Sequence, residues 1–227
     1  MAYILKEKEF FGRNFYVKRG VLIPRSDSEV IIEKTIEFIK KEKFLDSKTN
    51  FKILDLCCGS GILGITLHQE IKNQSKNAHL VSLDLSKVAV EVANKNCNLL
   101  NVDSFEVINE DVFNSKILDN LIDFDLIVYN PPYILNKNIE KLMIEVKNFE
   151  PHLALDGGED GFIFYQLFFD KLSKQIDKIS KKMIISIEID EPHLDLLKIN
   201  FNKLEEAFTC KFFDDLSNQK RLMLICN

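Results

Sequence analysis

The sequence predicts an α/β protein built on a mostly parallel sheet, and three observations support this fold class. Apolar, strand-like runs alternate with amphipathic helical segments, which is typical of parallel strands joined by crossover helices. The run 124–129 is apolar at nearly every position, as expected for a strand that is covered on both faces. A length of 227 residues is enough for one large domain with a substantial core.

The predicted elements follow in a regular order from the N-terminus. Residues 1–22 are expected to form an arm with a short hairpin, and residues 23–227 to form the α/β domain. The spacing between Ser26 and Glu29 predicts a capping box at the start of the first helix, and Ser86 is expected to cap a later helix. Strands are predicted at 52–56, 80–84, 105–108, 124–129 and 183–189, a helix at about 160–179, and an antiparallel terminal hairpin at 207–213 and 221–226.

A glycine-rich loop follows the first of these strands. The end of the strand and the loop together are Asp55, Leu56, Cys57, Cys58, Gly59, Ser60 and Gly61. Glycines at such a turn let the backbone approach a nucleotide-like ligand closely. Asp84 ends the next strand, 20 residues after Gly64, where a carboxylate can accept hydrogen bonds from both hydroxyls of a ribose. The loop therefore predicts a cofactor that contains a nucleoside.

The same glycines leave a second interpretation open. Gly59, Gly61 and Gly64 match the G-x-G-x-x-G spacing of dinucleotide sites, so an NAD-dependent oxidoreductase has to be considered. Two features favour a methyl-transfer site instead: Asp55 directly before the loop, and the motif at 130–133. A dinucleotide site needs neither of them.

The motif Asn130-Pro131-Pro132-Tyr133 ends the strand 124–129. The Asn oxygen and a proline carbonyl can each accept one N–H of a planar amino group, and the tyrosine ring can cover its flat face. The prolines cannot extend a central strand, because neither has an N–H to donate to its neighbour, and their fixed φ of about −65° makes the loop stiff. The motif predicts a site that holds a planar –NH2 group for reaction; a simple rigid turn is the alternative.

Composition narrows the class of partner. The chain has 30 Lys and Arg against 35 Asp and Glu, which gives a formal net charge of −5. Nucleic-acid binding usually needs a basic surface, so no direct nucleic-acid partner is expected. No apolar run approaches 18 residues and the N-terminus lacks a signal-peptide pattern, so a cytoplasmic protein without membrane contact is expected. The five cysteines form no C-x-x-C pair, so no metal site is predicted.

Several motifs, taken in order, resemble the protein-(glutamine-N5) methyltransferases of the HemK/PrmC type, which act on peptide chain release factors. They are Val21-Leu-Ile-Pro24-Arg25, the loop 55–61, the motif 130–133, the stretch 149–161, Ile187-Glu188-Ile189, and the late Asp215 and Arg221. The resemblance covers nearly the whole chain. It implies a Rossmann-like methyltransferase fold with a seven-stranded sheet, S-adenosylmethionine (SAM) as the cofactor, and a monomeric enzyme that methylates the glutamine of a Gly-Gly-Gln motif in a release factor.

The resemblance also implies a role for each candidate residue. The catalytic set, which would hold the glutamine amide, is Asn130, Pro131, Pro132 and Tyr133. The cofactor set is Asp55, Cys57, Cys58, Gly59, Ser60, Gly61, Asp84, Asp111, Val112 and Asn130. Within it, Asp84 would bind the ribose hydroxyls and Asp111 the adenine amino group. The alternatives are a cap on the following helix at Asp84 and a turn residue at Asp111. Independently of the resemblance, Arg25 is expected to anchor the arm and Glu150 to pair with a lysine; a catalytic role for Glu150 is the alternative that the resemblance suggests.

Three other functions remain open: methylation of a ribosomal protein glutamine, methylation of a nucleic-acid base, and SAM binding without activity. The sequence also departs from the family. Cys57 stands where the family usually has glycine, so its backbone must avoid positive φ or be strained. Ser26-Asp27-Ser28 replaces Pro-Glu-Thr. Met1-Ala-Tyr-Ile-Leu matches the linker after the family's N-terminal helical domain, so that domain is expected to be missing here.

Overall fold

The computed structural model describes residues 1–46, 50–74 and 77–227. The strands are β1 (Glu7–Phe10), β2 (Arg13–Tyr16), β3 (Asn50–Leu56), β4 (Asn77–Asp84), β5 (Phe105–Asn109), β6 (Leu126–Tyr129), β7 (Ile184–Glu188), β8 (Thr209–Asp214) and β9 (Lys220–Cys226). The helices are α1 (Ala2–Leu5), α2 (Glu29–Lys41), α3 (Ile62–Lys72), α4 (Lys87–Leu99), α5 (Asn136–Ile139), α6 (Ile144–Phe149), α7 (Ile163–Ser173) and α8 (Leu194–Phe201).

The main sheet has the order β5-β4-β3-β6-β7-β9-β8, seven strands within the described residues. The pairs from β5 to β7 are parallel. Strand β9 runs antiparallel to both β7 and β8. The predicted fold class, a mostly parallel seven-stranded sheet with an antiparallel C-terminal hairpin, is confirmed.

The sheet is covered on both faces because its central strands are apolar at successive positions. In β6 all four residues are fully buried. Leu126 and Val128 point into one core, which also holds the apolar faces of α2 and α3. Ile127 and Tyr129 point into the other core, with α7 and α8. This alternation follows from the two-residue period of a strand. Because both faces of the sheet are covered, a ligand can reach the sheet only at the ends of its strands.

The N-terminal hairpin packs against the helices rather than extending the sheet. Strands β1 and β2 pair antiparallel through a turn in which Phe11 and Gly12 both have positive φ, as tight hairpin turns require. Asn96 of α4 binds β2 at both polar groups of Tyr16, because its side-chain oxygen accepts the N–H at 2.8 Å and its amide donates to the carbonyl at 3.0 Å. The division into residues 1–22 and 23–227 stays a prediction.

The predicted capping box is wrong. Ser26 lies within a 3-10 turn, Ser26–Ser28, and α2 begins only at Glu29. The Glu29 carboxylate accepts the N–H of Phe11 in the hairpin turn at 3.0 Å instead. The Glu29 carboxylate therefore binds a backbone N–H that is distant in sequence instead of the N–H of Ser26, which a capping box would use. The other predicted cap is confirmed, since Ser86 Oγ accepts the N–H of Ala89 at 3.3 Å.

The helix predicted over 160–179 is shorter than expected. Helix α7 follows Gly161, whose positive φ of 71° is incompatible with a continuing α-helix. At the other end the chain leaves α7 after Ser173. There the buried Gln175 amide donates to the carbonyls of Leu118 and Lys171. Residues 176–178 form a separate 3-10 turn.

Among the described residues, no helix combines the length and the apolar character needed to cross a bilayer.

Candidate active site

The candidate site lies at the carboxyl ends of β3 and β6, which are neighbours in the sheet. Leu56, the last residue of β3, is paired with Tyr129, the last residue of β6. The glycine loop and the Asn-Pro-Pro-Tyr motif therefore leave the same edge side by side. Ligands of open α/β sheets bind at such an edge, where the direction of strand order reverses.

A cavity of about 550 Å³ opens at this edge, a size typical of ligand sites. The predicted residues that line it are Asp55, Cys57, Cys58, Gly59, Ser60, Asp84, Asp111, Val112, Asn130, Pro131, Pro132 and Tyr133. Gly61 is the one member of the predicted set outside the lining. It has a φ of +78° at the start of α3, and a Cβ there would come within 2.9 Å of Ile65. Gly61 therefore determines the conformation of the loop without contacting the cavity.

Cys57 is strained. Its φ is +55°, so the departure from glycine places a side chain in the left-handed region, at a cost of about 1–2 kcal/mol. The turn around it is held by two backbone bonds: Cys58 N–H donates to the carbonyl of Leu83 at 3.0 Å, and Gly61 N–H to the carbonyl of Cys58 at 2.8 Å. Burial raises the pKa of the Cys57 thiol well above its usual range, which makes it a poor nucleophile.

Asp84 ties the glycine loop to the end of β4. Its Oδ2 accepts the N–H of Gly59 at 2.8 Å, and its Oδ1 accepts the N–H of Ser86 at 2.8 Å. Burial raises the pKa of Asp84, and both N–H donors oppose that rise. Each carboxylate oxygen can accept a second hydrogen bond, so the arrangement is compatible with two ribose hydroxyls.

Asp55 is almost fully buried beside the start of α3. Its Oδ2 accepts the N–H of Gly64 at 3.0 Å. A Cβ at Gly64 would lie only 2.7 Å from that oxygen, so this glycine in the first turn of α3 permits the close approach of strand and helix. Burial raises the pKa of Asp55 to about 7.

The far wall of the cavity is aromatic. Phe113 and Phe164 both line it, with ring centroids 5.0 Å apart. Asp111 is a turn residue, because its oxygens accept the Phe113 N–H and the Asn114 side-chain amide, both at 3.0 Å. Its role toward adenine stays a prediction. Neither ring was predicted as a site residue; Phe113 directly after Val112 was the available signal.

The Asn-Pro-Pro-Tyr loop packs against the glycine-rich stretch that ends at Gly161. Gly157 N–H donates to the carbonyl of Ile134 at 2.8 Å, and Ile134 N–H to the carbonyl of Leu155 at 2.9 Å. A Cβ at Gly157 would lie 2.7 Å from the Cα of Tyr133. Two motifs separated in sequence thus form one rigid loop pair, in which a side chain at Gly157 would have no space.

Arg25 and Glu150 form an ion pair with a separation of 2.7 Å. The prediction that Glu150 pairs with a lysine is wrong; the arginine of the Ile-Pro-Arg motif takes that place. Glu150 is buried, while Arg25 is half-exposed and lines the cavity. Asp215 binds Arg221 through both Nε and Nη2, at 3.1 and 3.0 Å. The first pair connects segments 125 residues apart in the sequence, whereas the second lies within the C-terminal hairpin of β8 and β9.

The charges of the lining suit a cationic ligand. The described lining residues include four carboxylates and one guanidinium; they are Asp55, Asp84, Asp111, Glu188 and Arg25. SAM carries a sulfonium, an ammonium and an adenine, which match the acids and the aromatic wall. The residues present therefore fit SAM, with Asp84 suited to the ribose and Phe113 to the adenine.

A seven-stranded sheet with this loop, acid and Asn-Pro-Pro-Tyr order defines the class as SAM-dependent methyltransferases. The model of the methyltransferase small domain family matches residues 41–156. A release factor glutamine methyltransferase of Mycoplasma mycoides is 34% identical over all of this chain and 76% of its own length. The chain belongs to the family of release factor glutamine methyltransferases, and the predicted family and cofactor are confirmed.

Other relatives match a smaller share of their own length. The release factor glutamine methyltransferase of Clostridium botulinum is 39% identical, and the match covers 73% of this chain and 55% of that relative. The chain thus spans little more than half of such proteins.

Solved structures agree on the fold. The human hMettl16 catalytic domain, solved with the MAT2A 3'UTR hairpin 6, has a TM-score of 0.67 at 15% identity, covering 94% of this chain and 75% of its own. A release factor-specific protein-(glutamine-N5) methyltransferase of Alicyclobacillus acidocaldarius has a TM-score of 0.51 at 17% identity, covering 90% and 94%.

Proposed function

We propose that this chain catalyses the SAM-dependent N5-methylation of a glutamine side-chain amide, in the Gly-Gly-Gln motif of a peptide chain release factor. The observation that carries the proposal is the placement of Asn130 and its prolines at the end of β6, next to the glycine loop at the end of β3. The names of the relatives support the choice of substrate. We further propose that the enzyme acts as a monomer in the cytoplasm, where release factors work, and without a nucleic-acid partner.

The protein's part in the reaction is to make an amide nitrogen reactive and to aim it. An amide nitrogen is a poor nucleophile, because its lone pair is delocalised into the carbonyl. The Asn130 side-chain oxygen and the Pro131 carbonyl would each accept one N–H of the amide, which raises the electron density on nitrogen and fixes its direction. When bound, SAM supplies a methyl group on a sulfonium, which is a good leaving group. Positioning of this kind can contribute roughly 7–11 kcal/mol in favourable intramolecular cases.

Three further groups complete the proposed site. Asp84 would bind the ribose, and the backbone around Gly59 the methionine part of the cofactor. Tyr133 would cover the face of the substrate amide and exclude water from it. The amide proton can leave to solvent after transfer, so no general base is assigned.

The acidic lining and the net charge of −5 favour a protein substrate over a base in a nucleic acid, because the backbone phosphates of the nucleic acid would be repelled. A ribosomal protein glutamine is the closest rival, since the chemistry at nitrogen would be identical. SAM binding without activity is the third possibility. The methylation candidates differ in which macromolecule gains a methyl group, an increase of about 14 mass units, and SAM binding without activity adds none.

The test is mass spectrometry of a purified release factor incubated with this chain and SAM. We expect one added methyl group, on the tryptic peptide that contains Gly-Gly-Gln. A release factor with Gly-Gly-Ala at that position is the matched control and should gain none. Ribosomal proteins and a mixed DNA and RNA pool are treated in parallel. Methylation of either, with the release factor unchanged, would refute the proposed substrate, and binding of NAD but not of SAM in calorimetry would refute the proposed chemistry.

A further inference from the structure

Glu188 is the last residue of β7, beside the end of β6, and it takes no part in the chemistry described above. Its side chain lines the cavity, yet the residue is only 4% exposed. We propose that Glu188 is a positioning residue whose carboxylate fixes the phenol of Tyr133, and with it the ring that covers the substrate amide. The proposal rests on the proposed function only for the nature of that amide.

Both oxygens of Glu188 accept hydrogen bonds from hydroxyl groups. Tyr133 Oη donates to Oε1 at 3.3 Å, and Ser28 Oγ donates to Oε2 at 2.6 Å. Burial raises the pKa of Glu188, whereas the Ser28 hydroxyl, the charge of Arg221 and the Tyr133 hydroxyl act in the opposite direction. A buried carboxylate with both oxygens bound has little freedom to move. It is therefore a fixed acceptor for the phenol.

The backbone of Glu188 is fixed as well. Its N–H and C=O belong to β7, which pairs with β6 on one side and β9 on the other. Its carbonyl also accepts the hydroxyl of the fully buried Tyr165 at 2.9 Å. The position of the carboxylate is thus set by the centre of the sheet and not by a loop.

Tyr133 is held at both ends. Its backbone lies against the glycine-rich stretch, where a Cβ at Gly161 would be 2.3 Å from the Tyr133 carbonyl oxygen. Its hydroxyl reaches Glu188. Between these two points the ring lines the cavity beside Asn130. The consequence is a ring that cannot swing away from the face it covers.

Ring position matters because methyl transfer needs a near-attack arrangement, and a misplacement of about 1 Å can cost roughly a hundredfold in rate. Loss of the Glu188 acceptor would free the phenol without touching the glycine loop or Asp84. The predicted signature is therefore a lower kcat with little change in the KM for SAM. A residue that only stabilised the fold would change neither constant in the folded fraction.

The experiment compares three single variants and one double variant with the wild-type enzyme on the same release factor. Glu188→Leu removes the acceptor and should lower kcat at least about tenfold, with the KM for SAM within about twofold. Glu188→Gln keeps an oxygen that can accept from Tyr133 and should recover most of that loss. Tyr133→Phe should lower kcat, and adding Glu188→Leu to it should cost little more, because both changes free the same ring.

Asp125→Asn is the matched control. Asp125 is also a buried acid, but it lies just before β6, at the opposite end of the strand, where it accepts the N–H of Lys52. Its substitution should lower the melting temperature and leave kcat unchanged. Equal kcat in Glu188→Leu and wild type, or multiplying losses in the double variant, would overturn the proposal.

A spectroscopic readout separates this proposal from the proposed function. The chain has five tyrosines, so 19F NMR of protein labelled with 3-fluorotyrosine gives few signals, and Tyr133→Phe assigns the relevant one. We expect that signal to be sharp in the wild type, to broaden or shift in Glu188→Leu, and to stay unchanged in Asp125→Asn. A wild-type enzyme that methylates no glutamine would sink the proposed function alone, whereas an unchanged Tyr133 signal in Glu188→Leu would sink the positioning role.

Discussion

Among single residues, Asn130 gives the most specific prediction for the kinetics of methyl transfer. Its side chain lines the cavity, while Asp84, the acid proposed to bind the ribose, lies on another strand. Asn130→Ala should therefore lower kcat by at least about a hundredfold, the effect of losing a positioned polar group in the transition state, with SAM affinity changed by less than about twofold. Methyl-transfer kinetics and calorimetry on one preparation measure both quantities. Near-normal turnover of the variant would contradict the role assigned to Asn130.

The left-handed backbone of Cys57 gives a second prediction, in which two substitutions control for each other. Cys57→Ala and Cys57→Gly both remove the thiol and its packing. Only glycine tolerates a φ of +55° without strain. We expect Cys57→Gly to be more stable than Cys57→Ala by about 1 kcal/mol in urea unfolding. Equal stability of the two variants would mean that the loop relaxes and stores no strain.

At the scale of elements, the packing of two loops can be tested through Gly157. A Cβ there would lie 2.7 Å from the Cα of Tyr133 and 2.8 Å from the Cα of Gly161, so backbone has to move. Gly157→Ala should lower kcat about tenfold or more, because the moved segment carries Tyr133. Kinetics at saturating substrate measure kcat, and thermal unfolding measures the stability of the variant.

Gly12→Ala is the control for this prediction. Gly12 has a φ of +70° but no atom within 4 Å of its Cβ position. The substitution should lower stability by about 1 kcal/mol through strain in the hairpin turn and leave kcat unchanged. A Gly157→Ala enzyme with wild-type kcat would show that the two loops are not mechanically joined.

The site elements were predictable from sequence to different degrees. The glycine loop and the Asn-Pro-Pro-Tyr motif are local patterns, so their position at strand ends followed from the strands themselves. The roles of Asn96 and Glu188 depend on side-chain contacts with residues far away in the chain, 36 residues away for Ser60 and 55 for Tyr133. No local pattern marks such pairs.

The same reason explains the wrong predictions. Ser26 and Glu29 have the spacing of a capping box, but Glu29 binds the hairpin instead. Glu150 was expected to pair with a lysine, the commoner cation in this chain, yet the fold places Arg25 beside it. In each case the fold brings a partner from a distant part of the chain to the side chain, and this partner replaces the neighbour or the commoner residue type that the sequence favours.

At the scale of the whole molecule, Asp55 should give the free energy of unfolding a pH dependence. Its pKa is about 7 in the folded protein and about 3.9 in an unfolded chain. The folded state thus binds the proton more tightly, so the contribution of Asp55 is greatest below about pH 4 and is lost as the pH rises to about 7. Between pH 5 and pH 8 the wild type should lose roughly 3 kcal/mol that Asp55→Asn does not lose.

Urea unfolding of the cofactor-free protein at both pH values measures this difference. The comparison with Asp55→Asn is needed because burial also raises the pKa values of Asp84 and Glu188, and these act in the same direction in both proteins. Parallel losses of stability in the two proteins would show that Asp55 titrates normally.

The pairing of Leu56 with Tyr129 fixes the offset between the ends of β3 and β6. In the proposed reaction the methyl donor is bound after β3 and the acceptor after β6, so the register of these two strands would set the distance between donor and acceptor. A slip by one residue would turn the apolar side chains of β6 to the opposite faces, and a slip by two would shift the acceptor by about 6.6 Å, twice the reach of a reacting pair. A molecule in this fold therefore either has the strand register that methyl transfer requires or gives no product.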